Sequence, residues 1–337
     1  MLKIFVTGAA GLIGGELCAR LVARGHDVVA LVRRTPIVRG NDGTIITALR
    51  TIPGDVTADL MGLTPEPCDL VIHCAASLEF NAPEEELRAV NVEGTRNALA
   101  YARAAGARFL HVSTAYVCGL REGQIMEGPV PEGTQFTNRY EASKAAAEAV
   151  VAASGIPFAV ARPSIVLGDS ATGAIRDFPS LCNVFRLMAR GKLTQFPCDP
   201  LSTLDLVPID HVAGGIVALA EAMDQAEGGY FHLVADTPLP AAELAHGVAR
   251  VAHFPDPKVI LPEYYSPASL GSAERMLAER ILGTFGEYFT RDPRFSDAAY
   301  RDVTGLACPP TDSAWLDRLI AYGIARGYLP SAPQEQA

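Results

Sequence analysis

The chain lacks an excess of basic residues, a long apolar run and a signal-like N-terminus. Its 337 residues carry 28 Lys and Arg against 38 Asp and Glu, a formal net charge of -10. The basic footprint of a nucleic-acid-binding protein is therefore missing. No apolar run reaches the roughly 18 residues that suggest a membrane span, and the first residues show no cleavable signal pattern. We expect a cytoplasmic protein without a nucleic-acid or membrane partner.

The cysteines lack the spacing of a metal site or of a disulfide framework. No Cys-x-x-Cys pair and no Cys/His cluster occurs, so we expect no bound metal. We expect most of the cysteines to pack as small core residues. The seven are Cys18, Cys68, Cys74, Cys118, Cys182, Cys198 and Cys308.

Apolar runs and helical patterns alternate over the first half of the chain. The apolar runs predict strands at residues 4–6, 28–32, 45–46, 70–72, 109–112 and 158–160, and the helical patterns cover residues 12–23, 83–105 and 138–153. This alternation predicts a parallel sheet with helices on both faces, the doubly wound α/β arrangement called the Rossmann fold.

The pattern changes after Gly168. Residues 169–207 are irregular, Asp210 is predicted to cap an apolar helix that runs to about Met223, and residues 230–234 predict one more strand. The length favours two domains or one domain with an added lobe. We assign residues 1–168 and about 206–235 to a nucleotide-binding Rossmann domain, about 169–205 and 236–330 to a smaller, mostly helical substrate lobe, and 331–337 to a flexible tail.

Three glycines stand where the first predicted strand turns into the first predicted helix: Gly8, Gly11 and Gly14. Glycines at this turn let the backbone approach a pyrophosphate, and the dipole and free amides of the helix start hold it. Glycines also serve ordinary tight turns, but the strand–loop–helix context predicts dinucleotide binding.

A carboxylate is missing at the end of the second predicted strand, where NAD-preferring proteins bind the ribose hydroxyls with one. Arg33 and Arg34 stand there instead, and guanidinium groups suit the 2′-phosphate of NADP. The sequence predicts NADPH in preference to NADH, unless the arginines are only a solvated strand end. Asp55 and Val56 follow the third predicted strand and are placed to contact the adenine, although a local cap is an equal alternative for Asp55.

Tyr140 and Lys144 are spaced four residues apart on a predicted helix, so their side chains share one face. A nearby cation stabilises a phenolate and lowers the tyrosine pKa, which makes proton exchange with a carbonyl or an alcohol feasible. Taken alone, the pair is more simply a chance spacing on a surface helix. It gains weight from the glycine turn upstream.

Five motifs occur in a fixed order over roughly the first 170 residues. They are Thr7-Gly-x-x-Gly-x-x-Gly14, His73-Cys-Ala-Ala-Ser77, Asn91-Val-Glu-Gly-Thr95, Ser113-Thr114 and Tyr140-x-x-x-Lys144. Together they resemble the extended short-chain dehydrogenase/reductase superfamily. The resemblance implies a Rossmann domain at the N-terminus and a smaller substrate lobe in the later chain.

The resemblance also implies a catalytic set of Thr114, Tyr140 and Lys144. Thr114 ends a strand at the carboxyl edge of the sheet, where ligands bind, and its hydroxyl can donate to a substrate oxygen. Tyr140 would donate the proton as hydride arrives from the nicotinamide, while Lys144 would lower the Tyr140 pKa and bind the nicotinamide ribose. Ser113 ranks second, because its side chain should point to the other face of the strand.

A set of dinucleotide contacts follows from the turn and the resemblance. Asn91 is expected either to brace the active-site helix, to hold a water or to cap a helix start, and His73 either lines the cofactor groove or packs against a loop. The expected cofactor contacts are Thr7, Gly8, Ala10, Gly11, Leu12, Ile13, Gly14, Arg33, Arg34, Asp55, Val56, Cys74, Ala75, Ala76, Asn91, Tyr140, Lys144, Pro163, Ser164 and Ile165.

One segment narrows the choice within the superfamily. Residues 162–173, beginning Arg-Pro-Ser and ending Thr-Gly, are similar to a stretch of thioester reductase domains and fatty acyl-CoA reductases, as are residues 111–117 and 206–212. This resemblance implies reduction of an acyl thioester to an aldehyde or alcohol. Because no adenylation or carrier region and no C-terminal anchor is recognisable, we expect the acyl group to arrive on CoA or on a separate carrier protein.

Basic residues of the irregular segment are candidates for the phosphates of CoA or phosphopantetheine, with a solvated charged face as the alternative for each. They are Arg176, Arg186, Arg190 and Lys192. A homodimer through the helices at 83–105 and 138–153 is a further possibility that the resemblance raises.

Other functions stay open at this point. The same fold and cofactor would serve a nucleotide-sugar epimerase, dehydratase or 4-ketoreductase, or a dehydrogenase of small ketones or hydroxysteroid-like alcohols. A dehydratase would want an acid beside Thr114, and Ala115-Tyr116 supplies none. A non-catalytic dinucleotide sensor would be expected to lose Tyr140 or Lys144, and both are present.

Overall fold

A computed structural model describes residues 1–80, 82–266 and 271–332. Its strands alternate with helices through most of the chain. The strands are β1 (Lys3–Thr7), β2 (Asp27–Val32), β3 (Arg50–Pro53), β4 (Leu70–His73), β5 (Arg108–Val112), β6 (Gly123–Ile125), β7 (Phe158–Pro163), β8 (Ile165–Leu167), β9 (Gln195–Pro197), β10 (Thr203–Leu204), β11 (Leu206–Pro208), β12 (Tyr230–Leu233), β13 (Leu239–Pro240), β14 (Lys258–Ile260) and β15 (Pro293–Phe295).

The α-helices cover the sheet and build most of the C-terminal part. They are α1 (Leu12–Ala23), α2 (Glu84–Leu87), α3 (Gly94–Ala105), α4 (Arg139–Ala152), α5 (Cys182–Ala189), α6 (Ile209–Glu221), α7 (Met223–Ala226), α8 (Glu243–Ala249), α9 (Ser272–Phe285), α10 (Ala298–Thr304) and α11 (Ser313–Ala325). A π-helical segment, Arg88–Glu93, joins α2 to α3, and short 3-10 turns include Ala115–Cys118 and Gly286–Phe289. Every helix in the described ranges is too short or too polar to cross a membrane.

The predicted doubly wound sheet is confirmed. Seven strands pair in the order β3-β2-β1-β4-β5-β7-β12, all parallel. Side chains alternate between the two faces along each strand. Ile4 and Val6 of β1 therefore pack with Leu17 of α1, while Phe5 stacks on Tyr101 of α3 across the sheet, with ring centroids 4.5 Å apart. Burial of both faces explains why these strands are apolar throughout.

The predicted strand at residues 45–46 is wrong. The third strand of the sheet is β3, and Ile45 makes only an isolated antiparallel bridge to Arg39 and is 46% exposed. β3 pairs with β2 alone, at the edge of the sheet. An edge strand has one neighbour and an open side, so Arg50 and Thr51 fit it without any apolar run to announce it.

The predicted cap at Asp210 is also wrong. α6 begins at Ile209 after Pro208, and Asp210 lies inside its first turn. The Asp210 carboxylate instead accepts hydrogen bonds from the Ser170 amide and hydroxyl, at 2.8 and 2.7 Å. It therefore ties the loop after β8 to the start of α6. The last predicted strand, at 230–234, corresponds to β12.

A second apolar core lies beside the sheet and confirms a mostly helical C-terminal region. This core joins residues 175–198 to residues 239–329, and we call these two segments together the lobe. The largest fully buried side chains of the core include Trp315 and Phe289. Tyr116 and Leu167 from the sheet side enter the same core. The domain boundaries stay a prediction, and residues 333–337 of the predicted tail lie outside the described residues.

Candidate active site

The turn between β1 and α1 has the geometry of a phosphate-binding turn. Gly8 has a φ of +69°, and the Gly11 amide donates to the Gly8 carbonyl at 2.9 Å. A Cβ at Gly14 would lie 2.2 Å from the Gly8 oxygen, so only glycine fits there. α1 starts without a side-chain cap or an acidic residue in its first turn. Its first amides and dipole are therefore left for an anionic group such as a pyrophosphate.

Thr7 braces this turn from inside. Its fully buried hydroxyl contacts His73 Nδ1 at 2.8 Å and accepts from the Ala75 amide at 3.2 Å. The Thr7 hydroxyl is thus engaged within the turn, and the expected contact of Thr7 with the cofactor stays a prediction. Of the two alternatives for His73, the structure shows packing: burial lowers its pKa to about 3, so it stays neutral.

The carboxyl end of β2 presents two exposed guanidinium groups. Arg33 and Arg34 follow the strand, and Arg33 Nη1 lies 4.0 Å from the Asp55 carboxylate. Asp55 also accepts from the amide and hydroxyl of Thr57, at 3.0 and 2.9 Å. Asp55 thus acts as the local cap considered above and is also the counter-charge of Arg33.

The residues after β4 have two distinct surroundings. Cys74, Ala75 and Ala76 are half-buried beside the glycine turn, where a Cβ on Gly8 would lie 2.6 Å from the Ala75 amide. Asn91, in the π-helical segment, is fully engaged: it accepts from the Ser77 amide at 2.7 Å and donates to Ser143 Oγ at 2.9 Å. Of its three predicted roles, bracing of the active-site helix is the one that these hydrogen bonds support, and the expected contact of Asn91 with the cofactor stays a prediction.

Tyr140 and Lys144 lie on one face of α4, as predicted. The Lys144 ammonium is buried and donates to the Val112 carbonyl at 2.8 Å, with His111 Nε2 at 3.3 Å. This bond ties α4 to the carboxyl end of β5, two residues before Thr114. Burial lowers the pKa of Lys144 to about 8. Burial also lowers the pKa of His111 well below its ordinary value, so that this imidazole is neutral.

The expected lowering of the Tyr140 pKa by Lys144 is corrected. Burial raises the pKa of Tyr140 above its ordinary value, and the charge of Glu141 acts in the same direction. Lys144 does not offset this effect, because its ammonium is turned toward Val112 and His111.

Thr114 and Ser113 end β5 with different partners. Thr114 is buried, and its Oγ1 accepts from the Tyr116 amide at 3.3 Å, which caps the 3-10 turn that packs against α4. Its hydroxyl hydrogen is left for another acceptor. The buried Ser113 hydroxyl has no hydrogen-bond partner among the residues described.

The segment after β7 is more enclosed than predicted. The Ser164 hydroxyl donates to the Asp205 carboxyl, which also accepts from the Ala235 amide at 2.8 Å. Burial raises the pKa of Asp205 to about 7. Pro163 ends β7 and Ile165 begins β8 on either side. The Ser164 hydroxyl is thus engaged with Asp205, and the expected cofactor contacts of Pro163, Ser164 and Ile165 stay predictions.

The four basic candidates of the irregular segment are not brought together. Arg176 lies on the glycine turn, with Nη2 3.2 Å from the Ala10 carbonyl and Nε 2.7 Å from Asp177. Arg186 covers the Tyr328 ring at 5.1 Å, while Arg190 and Lys192 are exposed. Arg176 therefore lies where the lobe contacts the dinucleotide turn, and the phosphate roles of the four residues stay predictions.

An aromatic side chain that the sequence did not single out lies against Tyr140, and a second one packs on the first. The Phe80 ring meets the Tyr140 ring edge-on, with centroids 5.2 Å apart, and Phe285 lies 6.0 Å from Phe80. Phe285 is buried in the lobe core. These contacts join residues far apart in the chain, so no local pattern could have revealed them. The part of the chain that the structure describes holds no cluster of metal-ligating side chains.

Comparisons with known proteins agree with this geometry. A family model described as "Male sterility protein", an NAD-binding family, matches residues 6–216. The 3-diazoavenalumate denitrifying reductase of Streptomyces sp is 29% identical, over 94% of this chain and 99% of that protein. Aldehyde reductase lnaA of Aspergillus flavus is 26% identical over 97% of this chain, which spans only 36% of that protein.

A solved structure extends the likeness to the fold. The terminal R domain from the myxalamid PKS-NRPS biosynthetic pathway is 26% identical, with a TM-score of 0.84, over 98% of this chain and 92% of that domain. The fold, the glycine turn and the Tyr140/Lys144 pair define an NAD(P)-dependent oxidoreductase of the extended short-chain type. The chain belongs to the Male sterility protein family, and the predicted likeness to the thioester reductase group is confirmed.

Proposed function

We propose that this protein is an NADPH-dependent reductase of acyl thioesters, which it converts to an aldehyde or onward to an alcohol. The observation that carries the proposal is the apolar surround of Tyr140. Phe80 meets the Tyr140 ring edge-on, and Phe285 lies against Phe80, so the two phenylalanines form an aromatic wall that reaches the phenol through Phe80. Such a wall suits the hydrocarbon part of an acyl group. A nucleotide sugar would instead need polar partners for its hydroxyl groups and diphosphate.

The proposed roles follow from the placement of three side chains. The bound cofactor supplies a hydride to the carbonyl carbon. Thr114 Oγ1 and the Tyr140 hydroxyl are the donors for the oxygen on which negative charge develops. Tyr140 transfers its proton to that oxygen, and Lys144 supplies the positive charge at the carboxyl end of β5. With a thioester, collapse of the resulting hemithioacetal releases the thiol and leaves the aldehyde.

The arginines after β2 support NADPH as the reductant. Arg33 and Arg34 are exposed at the edge where the adenosine ribose would lie, and the Asp55 carboxylate lies 4.0 Å from Arg33 Nη1. Two guanidiniums favour a 2′-phosphate over free hydroxyls. NADPH preference and the expected dinucleotide contacts are part of the proposal.

Relatives support a carrier-bound or CoA-bound substrate. The myxalamid relative is a terminal reductase domain of an assembly line, and the chain matches about a third of aldehyde reductase lnaA. Arg186, Arg190 and Lys192, on one stretch of the lobe, are candidates for the phosphate of a pantetheine arm.

A second candidate is reduction of a free aromatic molecule. The relative that this chain matches over nearly its whole length is named a 3-diazoavenalumate denitrifying reductase. The same aromatic wall would hold an aryl substrate without any carrier. The fold and the cofactor would be unchanged, and Tyr140 would keep its role where the group reduced is a carbonyl.

A substrate panel tests the proposal. The purified protein is mixed with NADPH or NADH and with an acyl-CoA, the matching aldehyde, an aryl carbonyl compound or a UDP-sugar, and cofactor oxidation is followed. We expect NADPH oxidation with the acyl-CoA, and loss of about 100-fold to 10,000-fold in kcat for Tyr140→Phe. Activity confined to the aryl compound would favour the second candidate. Full activity of Tyr140→Phe, or turnover of the UDP-sugar alone, would overturn the proposal.

A further inference from the structure

The Lys144 ammonium is held by two neutral acceptors at the carboxyl end of β5. Its Nζ donates to the Val112 carbonyl at 2.8 Å and lies 3.3 Å from His111 Nε2. Lys144 and His111 are 1% and 0% exposed, so water does not compete for this contact. An ammonium carries three hydrogens. The two contacts therefore leave one hydrogen for a further partner.

The charge of this ammonium is not cancelled by a carboxylate. Glu148 lies one turn after Lys144 on α4, but its two oxygens bind Arg162, at 3.0 and 2.7 Å. Among the described residues, Lys144 forms no ion pair. An imidazole nitrogen and a carbonyl oxygen hold a cation in place and leave its positive charge available to a bound ligand.

The plane of the His111 ring is fixed by two neighbouring rings. His73 is the register partner of His111 on β4, and the two rings stack with centroids 5.6 Å apart and planes 20° apart. Phe109, two residues earlier on β5, lies on the same face of the sheet, 6.4 Å away with planes 11° apart. The stack therefore sets the direction in which Nε2 meets Lys144.

A packing role for His111 would not need its nitrogens. His111 Nδ1 is buried and has no hydrogen-bond partner among the described residues. A buried polar group in this state costs stability, and an apolar side chain would fill the same place without that cost. Because the Nε2 lone pair faces an ammonium donor, the ring proton must be on Nδ1. What the imidazole adds to packing is therefore an acceptor for Lys144.

We propose that His111 is a positioning residue, whose Nε2 holds the Lys144 ammonium so that the remaining hydrogen and the charge of Lys144 serve the nicotinamide end of the bound cofactor. The inference rests on the role of Lys144 in the proposed function. One acceptor would leave the ammonium free to turn about a single hydrogen bond, whereas two acceptors fix where its third hydrogen points. His111 acts through Lys144 and not on the reacting atoms.

Four titratable groups face Lys144. Glu148 favours the ammonium, and so would Cys74 as a thiolate, whereas His73 and His111 would oppose it if protonated. Burial raises the pKa of Cys74 to about 12, lowers that of His73 to about 3 and lowers that of His111 well below its ordinary value. These three groups are therefore neutral near neutral pH, and loss of the His111 acceptor is the change that should alter the titration of Lys144.

NADPH binding tests the inference without any substrate. The dissociation constant is measured from nicotinamide fluorescence between about pH 7 and about pH 9, a range that spans the Lys144 pKa of about 8. His111→Leu removes the acceptor and keeps the place filled. We expect about tenfold weaker binding at neutral pH, the size of a lost hydrogen bond to a charged group. The alkaline loss of binding should begin about one pH unit lower, because an ammonium without its acceptor releases its proton more readily.

Two further variants isolate the acceptor. His111→Gln places an amide oxygen near the position of Nε2 and should restore both the affinity and its pH dependence. His211→Leu is the matched control, since His211 of α6 is also buried, has an unpartnered Nε2 among the described residues and packs on Tyr300 with ring centroids 5.6 Å apart. We expect His211→Leu to bind NADPH as the wild type does.

The tautomer of His111 provides a second readout, which serves even if the Leu variant does not fold. Nuclear magnetic resonance of the wild-type protein with isotope-labelled histidine distinguishes the two ring nitrogens. We expect the His111 proton on Nδ1, because Nε2 accepts from Lys144. A proton on Nε2 would overturn the inference, since that nitrogen would have no lone pair to offer.

The outcomes separate this inference from the proposed function. If Lys144→Met binds NADPH and reduces substrate as the wild type does, the proposed role of Lys144 fails. If Lys144→Met weakens NADPH binding but His111→Leu does not, the inference alone is overturned. A Gln variant as weak as the Leu variant would overturn it as well, because ring packing rather than the acceptor would then be responsible.

Discussion

The sheet and its junction with the lobe treat buried charge in different ways. Within the sheet region, Arg162 of β7 and Glu148 of α4 form a bidentate pair, at 3.0 and 2.7 Å, that is almost completely buried. Its partners come from neighbouring elements. At the junction, Glu141 depends on Tyr288, which belongs to the other end of the chain. The Glu148 carboxylate is paired within the sheet region, whereas Glu141 combines local donors with one donor from the lobe.

This difference shows which parts of the site depend on contacts with the lobe. The glycine turn and β5 are part of the sheet region, and Arg176 of the lobe adds one hydrogen bond to the turn. The start of α4, which carries Tyr140, is held from both sides. Substitutions in the sheet should therefore change global stability, whereas substitutions at the junction should change the site first.

The largest expected effect is on the pair inside the sheet region. Arg162→Met leaves the Glu148 carboxylate buried without its partner, so we expect a loss of about 3–5 kcal/mol in the free energy of unfolding. Denaturant unfolding measures it. The double variant Arg162→Met/Glu148→Gln should recover part of the loss, and no recovery would mean that the pair is not the cause.

Asp205, between the sheet and the junction, should make stability depend on pH. Its folded pKa of about 7 lies above the ordinary value of 3.8. The folded state thus binds the proton more tightly, and stability is lost as pH rises from about 4 to about 7. The loss should amount to roughly 2–4 kcal/mol. Thermal unfolding across this range should show a flatter profile for Asp205→Asn, and equal slopes would contradict the assignment.

The junction itself is probed by Tyr288→Phe. Removal of the hydroxyl leaves Glu141 with one donor fewer in a buried site, so we expect a loss of about 1–3 kcal/mol. A local effect should raise proteolysis near residues 286–289 before global unfolding. Tyr328→Phe, which removes a lobe hydroxyl that donates to Asn183 Oδ1 at 3.2 Å, serves as the matched control. Equal susceptibility of both variants would show that the junction has no special weight.

The smallest effect should be confined to the cofactor edge. Arg33→Ala should weaken NADPH use by about tenfold, the size of a lost charge-assisted hydrogen bond, and leave NADH use unchanged. kcat/KM for the two cofactors measures it. Arg39→Ala, an exposed arginine bonded to the Gly43 carbonyl, is the matched control. An equal loss with both cofactors would remove Arg33 from the 2′-phosphate site.

The predictable features were those that depend on local spacing. Continuous apolar runs marked the inner strands, since burial on both faces demands them. The shared face of Tyr140 and Lys144 followed from helical geometry alone. β3 was not predicted, because an edge strand can be polar and then lacks an apolar run. Phe80 contacts both Tyr140 and Phe285. Phe80 and Phe285 are 205 positions apart in the chain, and no local pattern encodes such a contact.

The position of the Asn91 side chain depends on the number of residues in the π-helical segment Arg88–Glu93. A wider turn accommodates one extra residue and re-aims the side chains around it. From this position Asn91 spans the gap between Ser77 and Ser143. Deleting one residue within Arg88–Glu93 would return the segment to α-helical pitch and rotate the preceding residues by about 100° relative to α3. Shortening the chain between the loop after β4 and α3 by one residue would therefore break the hydrogen bonds that join Asn91 to Ser77 and Ser143.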